Sequence, residues 1–317
     1  MVQRLGEIAP DKLPEAKRAV RRVASTQSRL VAPEDVVWRW ELGRAELDKR
    51  ARPIIAAYDA AIDFADEDDY SALGERAGFL HDIYRFEDAL ADLDTLVEEN
   101  TSAWVLQWRS NLHQSLGNTA QSLADLRRAY DLEPDNSIAM TLAERMAYAG
   151  EIEEAFELLE SLPVSDDETS LYAGTYATVA GLSGDLDRGL QVMADEVADK
   201  PQNPTALNSD CWYRGLFDTG LDGALDICTR AIERASNSAP MLDSRAMVHY
   251  RTGNYDAALA DLASALDVSP GLAASHYLRG VILLEQGDKA GRNDIDIALR
   301  IAPELEAQYA RHGIVPK

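Results

Sequence analysis

Along residues 242–270, apolar residues recur every three or four positions, stop, and then recur. Leu242, Ala246 and His249 fall at helical spacing. Gly253 and Asn254 interrupt the pattern, and Ala258, Leu262, Ala265 and Leu266 line a second helical face that Pro270 closes. Spacing of three and four is the mark of an amphipathic helix, and Gly and Pro fall where a helix must stop. The segment therefore predicts two helices joined by a tight turn. The same pattern returns at 106–134, with Ser110, Gly117, Ser122, Ala129 and Pro134 in the matching places. Looser copies cover 139–162 (Ala143, Gly150, Ala155), the stretch carrying Ala177, Gly184, Gly189 and Pro201, and 208–231 (Gly220, Ala224). The copy at 72–101 lacks the turn Gly and the closing Pro, and the copy at 280–303 is one residue short between Gly287 and Gly291. Seven hairpins of roughly 34 residues each are expected across 70–306. One hairpin cannot bury both of its faces, so stacking must supply the core.

Charge follows the same register. Four times an Arg precedes a small residue, and an Asp follows fifteen or sixteen positions later: Arg76 and Asp92, Arg109 and Asp125, Arg245 and Asp261, Arg279 and Asp294. Copies lacking the Arg also lack the Asp: Leu142 goes with Leu158, Tyr176 with Val192 and Cys211 with Ile227. Ionic matched with ionic and apolar with apolar is what direct contact between the two helices of one hairpin predicts. A half-buried guanidinium needs its carboxylate, because removing one partner is costly. These eight residues are read as structural ion pairs.

The pattern resembles the tetratricopeptide repeat (TPR) family. Ala246 fills the small slot of the first helix, Tyr255 the aromatic slot after the turn, Ala258 and Ala265 the small slots of the second helix, and Pro270 the closing proline. The resemblance implies an all-α, right-handed TPR-type α-solenoid of antiparallel helix hairpins, with at least fourteen helices and no sheet. Residues 69–306 are then seven repeats, 1–68 an N-terminal helical cap with a degenerate hairpin, and 307–317 a C-terminal capping tail. Within 1–68, helices are expected at 13–27, from 33–35 through Trp38 and Trp40, and from Pro53 to Ile62. The acidic run 65–70 lacks the spacing of a calcium loop and is read as solvent-facing.

Net charge is −24, yet residues 1–32 hold seven Lys or Arg against three Asp or Glu, and no Lys lies between Lys49 and Lys200. An acidic body repels phosphate backbones, which argues against nucleic acid. No run approaches the roughly 20 apolar residues that span a bilayer, so membrane insertion is not expected. Neither Gly-x-Ser-x-Gly nor His-x-x-x-His nor a phosphate loop is present. The histidines are scattered, and two cysteines without nearby His make a poor zinc site. No catalytic residue, metal or cofactor is expected.

In the TPR family the ligand surface is the concave side, lined by the first helices. The register places Trp104, Gln107, Trp108, Asn111, Met140, Tyr148, Tyr213, Phe217, Met247, Tyr250 and Arg251 there, with Glu144, Asp243 and Tyr277 among them. Aromatics and Met suit a protein or peptide ligand with apolar anchors, though packing between repeats would use the same residues. Cys211 and Cys228 fall on facing slots of one hairpin, open either to a disulfide in an oxidising compartment or to two buried thiols. Residues 205–317 further resemble the TPR tail of exported bacterial proteins with an upstream transglutaminase-like domain. That resemblance implies a periplasmic setting and a preceding domain, with a cytoplasmic setting if Met1 is the native start. The expected function is a non-enzymatic, protein- or peptide-binding scaffold. The alternative is an accessory tail that docks substrate or mediates assembly.

Overall fold

The computed structural model describes residues 42–66 and 68–317. Sixteen α-helices and no strand occur among them. They form two compact units that divide between Leu116 and Gly117. The first holds α1 (Arg44–Asp63), α2 (Ser71–Asp82), α3 (Phe86–Glu99) and α4 (Ala103–Ser115). The second holds α5 (Thr119–Leu132), α6 (Asn136–Ala149), α7 (Ile152–Glu160), α8 (Thr169–Ser183), α9 (Leu186–Asp199), α10 (Pro204–Leu216) and α11 (Ala224–Arg234). It continues through α12 (Ala239–Arg251), α13 (Tyr255–Val268), α14 (Ala273–Glu285), α15 (Gly291–Ile301) and α16 (Leu305–Arg311). The helices read at 13–27 and 33–40 lie outside the described residues.

The helix expected to begin at Pro53 instead begins at Arg44 and carries Pro53 inside it. An interior proline removes a hydrogen bond and costs about 3 kcal/mol. Leu47, Ala51, Ile54, Tyr58 and Ala61 lie on one buried stripe that runs through the proline, and continuous burial outweighs the local penalty. Other starts follow side-chain caps. Ser102 accepts from Val105 N–H, Asp135 from Ser137 N–H and Asn203 from Thr205 N–H, each satisfying a donor that has no partner inside its helix.

Helices pack pairwise in sequence order: α2 on α3, α6 on α7, α8 on α9, α10 on α11, α12 on α13 and α14 on α15. The turns use left-handed backbone at Gly150, Gly184, Gly253 and Gly287. The α2–α3 turn, which lacks the glycine in sequence, keeps the geometry with Tyr84 at φ 61°. Where the helices cross, small residues are fully buried: Ala77 and Ala89, Ala143 and Ala155, Ala246 and Ala258. At Gly280 and Gly291 the crossing is closest. A Cβ on Gly280 would stand 2.8 Å from the Gly291 carbonyl oxygen, and a Cβ on Gly291 would meet the Gly280 carbonyl.

Three of the Arg/Asp pairs form forked contacts between the helices of a hairpin. Arg76 Nε and Nη2 donate to Asp92 at 2.9 and 2.6 Å, Arg245 to Asp261 at 2.7 and 2.7 Å, and Arg279 to Asp294 at 2.8 and 2.6 Å. Asp92, Asp261 and Asp294 are buried. The remaining guanidinium nitrogen reaches the preceding helix, Arg76 Nη1 to Asp59 at 2.6 Å and Arg245 Nη1 to Thr229 at 3.1 Å. Arg109 donates in the same way to Asp94 at 3.0 Å, and Asp125 is buried on α5. One Arg thus joins three helices, its own hairpin and the one before. Where the Arg is missing, Leu142 and Leu158 share one apolar cluster with Tyr176 and Val192. Cys211 and Cys228, both fully buried, form a disulfide with Cα atoms 5.2 Å apart.

Two outcomes follow from this packing. Replacing Arg245 by Ala leaves Asp261 buried without its guanidinium and should destabilise by ~2–4 kcal/mol in urea titration. Arg245→Leu combined with Asp261→Leu should recover much of that loss, since the Leu142/Leu158 hairpin already uses the apolar solution; a double variant no more stable than the worse single one contradicts the pairing. Gly253→Ala, where a Cβ meets nothing within 4 Å, should cost only the left-handed strain of ~1–2 kcal/mol. Gly291→Ala, aimed at backbone, should cost more and lower Tm further.

Candidate binding face

The first helices of the second unit, α6, α8, α10, α12 and α14, touch one another in series. They form a continuous helical surface. The C-terminal helix α16 and the residues after it lie on that surface. Arg311 Nη1 donates to the Tyr148 carbonyl at 2.8 Å, and its guanidinium stands 5.4 Å from the Tyr148 ring. The His312 ring meets Phe217 edge-on at 5.0 Å, and Arg251 Nη2 donates to the His312 carbonyl at 2.9 Å. Tyr309 stacks on Tyr277 at 5.0 Å, Ile314 is fully buried, and Lys317 pairs with Glu285 at 2.9 Å. A segment of thirteen residues, 305–317, is held by partners on α6, α12, α14 and the end of α10.

Arg251 is the hinge of this arrangement. Its Nε and Nη2 also donate to the Gly215 and Leu216 carbonyls at 2.9 Å each. These carbonyls end α10, so the guanidinium satisfies acceptors that no helical N–H can reach and meets the negative end of the helix dipole. The same cation then holds the tail.

The face is polar at depth. Burial raises the Asp243 carboxyl to about 6, and the Ser275 hydroxyl, which donates to Asp243 at 2.5 Å, offsets only part of this. Burial lowers His312 to about 4, with Arg251 and Arg311 adding repulsion. Burial and the Asp243 charge push the Tyr309 hydroxyl well above its ordinary range. The Tyr277 and Tyr309 hydroxyls have no hydrogen-bond partner among the described residues.

The expected groove residues divide into three sets. Met140, Tyr213 and Met247 are core, at 3%, 2% and 0% exposure, and this corrects their reading as ligand-facing. The reason is steric. Tyr213 on α10 lies over Gly189 of α9, and Met247 on α12 lies over Gly215 of α10, where a Cβ would stand 2.8 Å from Met247 Cγ. These side chains fill holes left by glycines in the neighbouring hairpin. Tyr148, Phe217 and Arg251 are half-buried and touch the C-terminal segment. Tyr250 donates its hydroxyl to Glu285, the residue that also pairs with Lys317. Trp104, Gln107, Trp108 and Asn111 belong to α4 in the first unit, where Trp104 is 63% exposed. The sequence reading missed Tyr309, Arg311 and His312, whose aromatic and cationic character within one short segment was the available signal.

In the first unit, a cleft of about 740 Å³ is lined by the loop Asp68, Asp69 and Tyr70, by Ser71, Gly74 and Glu75 of α2, by Leu96 and Asn100, and by Ser102, Trp104, Val105 and Trp108. The Trp104 and Trp108 rings lie 5.2 Å apart, inclined at 48°. No group of His, Cys, Asp and Glu able to hold a metal occurs among the described residues, and no described helix is long and apolar enough to cross a membrane.

Two tetratricopeptide-repeat family models match the sequence, over residues 244–291 and 105–136. The chain carries TPR repeats. Solved structures give the same fold. A TPR protein from Parabacteroides merdae is similar at 13% identity and a TM-score of 0.58, covering 78% of this chain and 98% of that one. Yeast Tom70 is similar at 15% identity and a TM-score of 0.58, covering 83% of this chain and 58% of that one. No curated protein sequence matches. The fold is therefore an all-α, TPR-type stack of antiparallel hairpins.

Asp243 gives this face a pH signature. A carboxyl raised in the folded state from 3.8 to about 6 contributes stability below the lower value that is lost as pH rises through the upper one. Asp243→Asn removes that loss. Its gain in Tm over the wild-type chain should grow from about pH 4 to about pH 6 and level off above; a gain independent of pH contradicts a buried, titrating Asp243.

Proposed function

We propose that the protein is a non-enzymatic scaffold that holds a protein or peptide on the face formed by the first helices of its hairpins. One observation carries this reading: a short segment with aromatic and cationic anchors, residues 305–317, already lies on that face in the second unit. A surface that seats one such segment has the geometry to seat another, by the helix-in-groove mode. In the second unit that place is taken by the chain itself. In the first unit, α4 carries Trp104, Gln107, Trp108 and Asn111, with Trp104 63% exposed.

The disulfide between Cys211 and Cys228 supports an oxidising compartment, in keeping with the periplasmic setting implied by the resemblance of residues 205–317 to exported proteins. The role of an accessory tail behind a transglutaminase-like domain is supported by that resemblance alone.

Site-specific photo-crosslinking in the native source tests the scaffold reading. A photoreactive residue at Gln107 or Asn111 should give a discrete protein adduct, and the same residue at the exposed Leu132 of α5 should not. Adducts that are absent at α4, or equal at all three positions, count against it.

A further inference from the structure

Resting on the scaffold reading, we propose that the face of the second unit takes a basic, aromatic segment of a partner protein, and that residues 305–317 are the built-in competitor this segment displaces. The anchors of residues 305–317 define the chemistry the face accepts. Tyr309 stacks on Tyr277 of α14 at 5.0 Å. Two positions on, Arg311 donates to the Tyr148 carbonyl of α6 at 2.8 Å and its guanidinium lies over the Tyr148 ring. Three positions further, Ile314 is fully buried. Lys317 then pairs with Glu285 at 2.9 Å. The order is an aromatic ring, a cation, an aliphatic residue and a second cation. The face also suits positive charge. Asp243 is buried in it and Glu285 borders it, while Arg251 is committed to the Gly215, Leu216 and His312 carbonyls. The net charge of −24 draws a basic segment toward the chain in the same direction.

The same contacts explain why the segment is displaceable. Helix α16 has seven residues, short of the roughly 12–15 that a helix needs to persist by itself in water, so the face lends it its order. Its cationic ties are light. Arg311 makes one hydrogen bond to a main-chain carbonyl, and Lys317 is 72% exposed, where an ion pair is screened and adds little. The seat is also imperfect. The Tyr277 and Tyr309 hydroxyls and His312 Nε2 are buried without a hydrogen-bond partner among the described residues, and each such group keeps an uncompensated desolvation cost. A partner segment with an acceptor for the Tyr277 hydroxyl gains a bond that residues 305–317 leave unmade. The covalent tether offsets these weaknesses, because it holds the segment at a high effective concentration over the face. Residues 305–317 thus block the face in cis and still exchange with a better-matched segment, seated in the helix-in-groove mode.

Fluorescence anisotropy on the full chain tests the assignment, with a labelled peptide of residues 303–317 as the probe. Two chain variants loosen the tethered segment. Arg311→Ala truncates an exposed side chain, and Lys317→Glu sets a carboxylate against Glu285; circular dichroism should be unaltered in both. A loosened segment leaves the face open for a larger fraction of molecules, and the apparent Kd falls in proportion. Each variant should bind the probe about fivefold or more tighter than the wild-type chain, and the same substitution placed in the probe should weaken it by a similar factor. No binding by either variant overturns the proposal, since residues 305–317 are then a fixed cap. Equal binding by the wild-type chain and both variants overturns it as well, because the probe then sits elsewhere. Equal binding of a probe carrying both Arg311→Glu and Lys317→Glu overturns the stated chemistry. A wild-type dimer in sedimentation that Arg311→Ala dissociates would seat the segment in a second copy and overturn the assignment in cis. Adducts at Gln107 or Asn111 without this exchange sink the inference and leave the scaffold reading standing; the absence of both sinks the two together.

Discussion

Each hairpin depends on how closely its two helices can cross. At Ala246 and Ala258 both small side chains are fully buried, and at Gly280 and Gly291 the approach is close enough that one added methyl meets backbone. Close crossing brings the residue before the small one within reach of the partner helix. The forked contacts of Arg76, Arg245 and Arg279 all start from that position. In Arg76 and Arg245 the third nitrogen then reaches back to Asp59 or Thr229 on the preceding helix, so there the interaction that closes a hairpin also ties it to its neighbour. Where the pair is replaced, the chain uses apolar packing at Leu142 and Leu158 or a covalent link at Cys211 and Cys228. Three chemistries answer one geometric demand.

Stacking hairpins in this way leaves the first helices of the second unit as one surface, and its glycines decide which large side chains stay on it. Tyr213 and Met247 turn into the holes above Gly189 and Gly215, adding to the core what sequence alone assigns to a ligand. The residues left over, Tyr148, Phe217 and Arg251, are half-buried against the C-terminal segment. Desolvation beneath that segment explains the raised Asp243 and lowered His312 together: one group resists its negative charge and the other its positive charge.

The hairpins were legible in the sequence because helix, turn and crossing all leave local signs at fixed offsets. The ion-pair register was legible for the same reason, since Arg245 and Asp261 repeat as a unit. Pro53 misled because burial of Leu47 and Ala51 upstream overrides a local breaker. The expected turn near Tyr84 forms without its glycine because a non-glycine residue can hold left-handed backbone when its neighbours fix it. Burial of Met247 was not legible, since it depends on Gly215 more than thirty positions away in another hairpin. The docking of Arg311 on Tyr148 was further out of reach, because a contact spanning 163 residues has no periodic signature.

The C-terminal segment occupies the helical face of the second unit. Hydrogen exchange followed by mass spectrometry measures this directly, on the wild-type chain and on Arg251→Ala. Amides of residues 305–314 should be protected in the wild-type chain. In the variant they should exchange much faster, while the α12–α13 hairpin stays protected. Fast exchange of 305–314 already in the wild-type chain, with α12–α13 protected, would contradict an occupied face and with it the central claim.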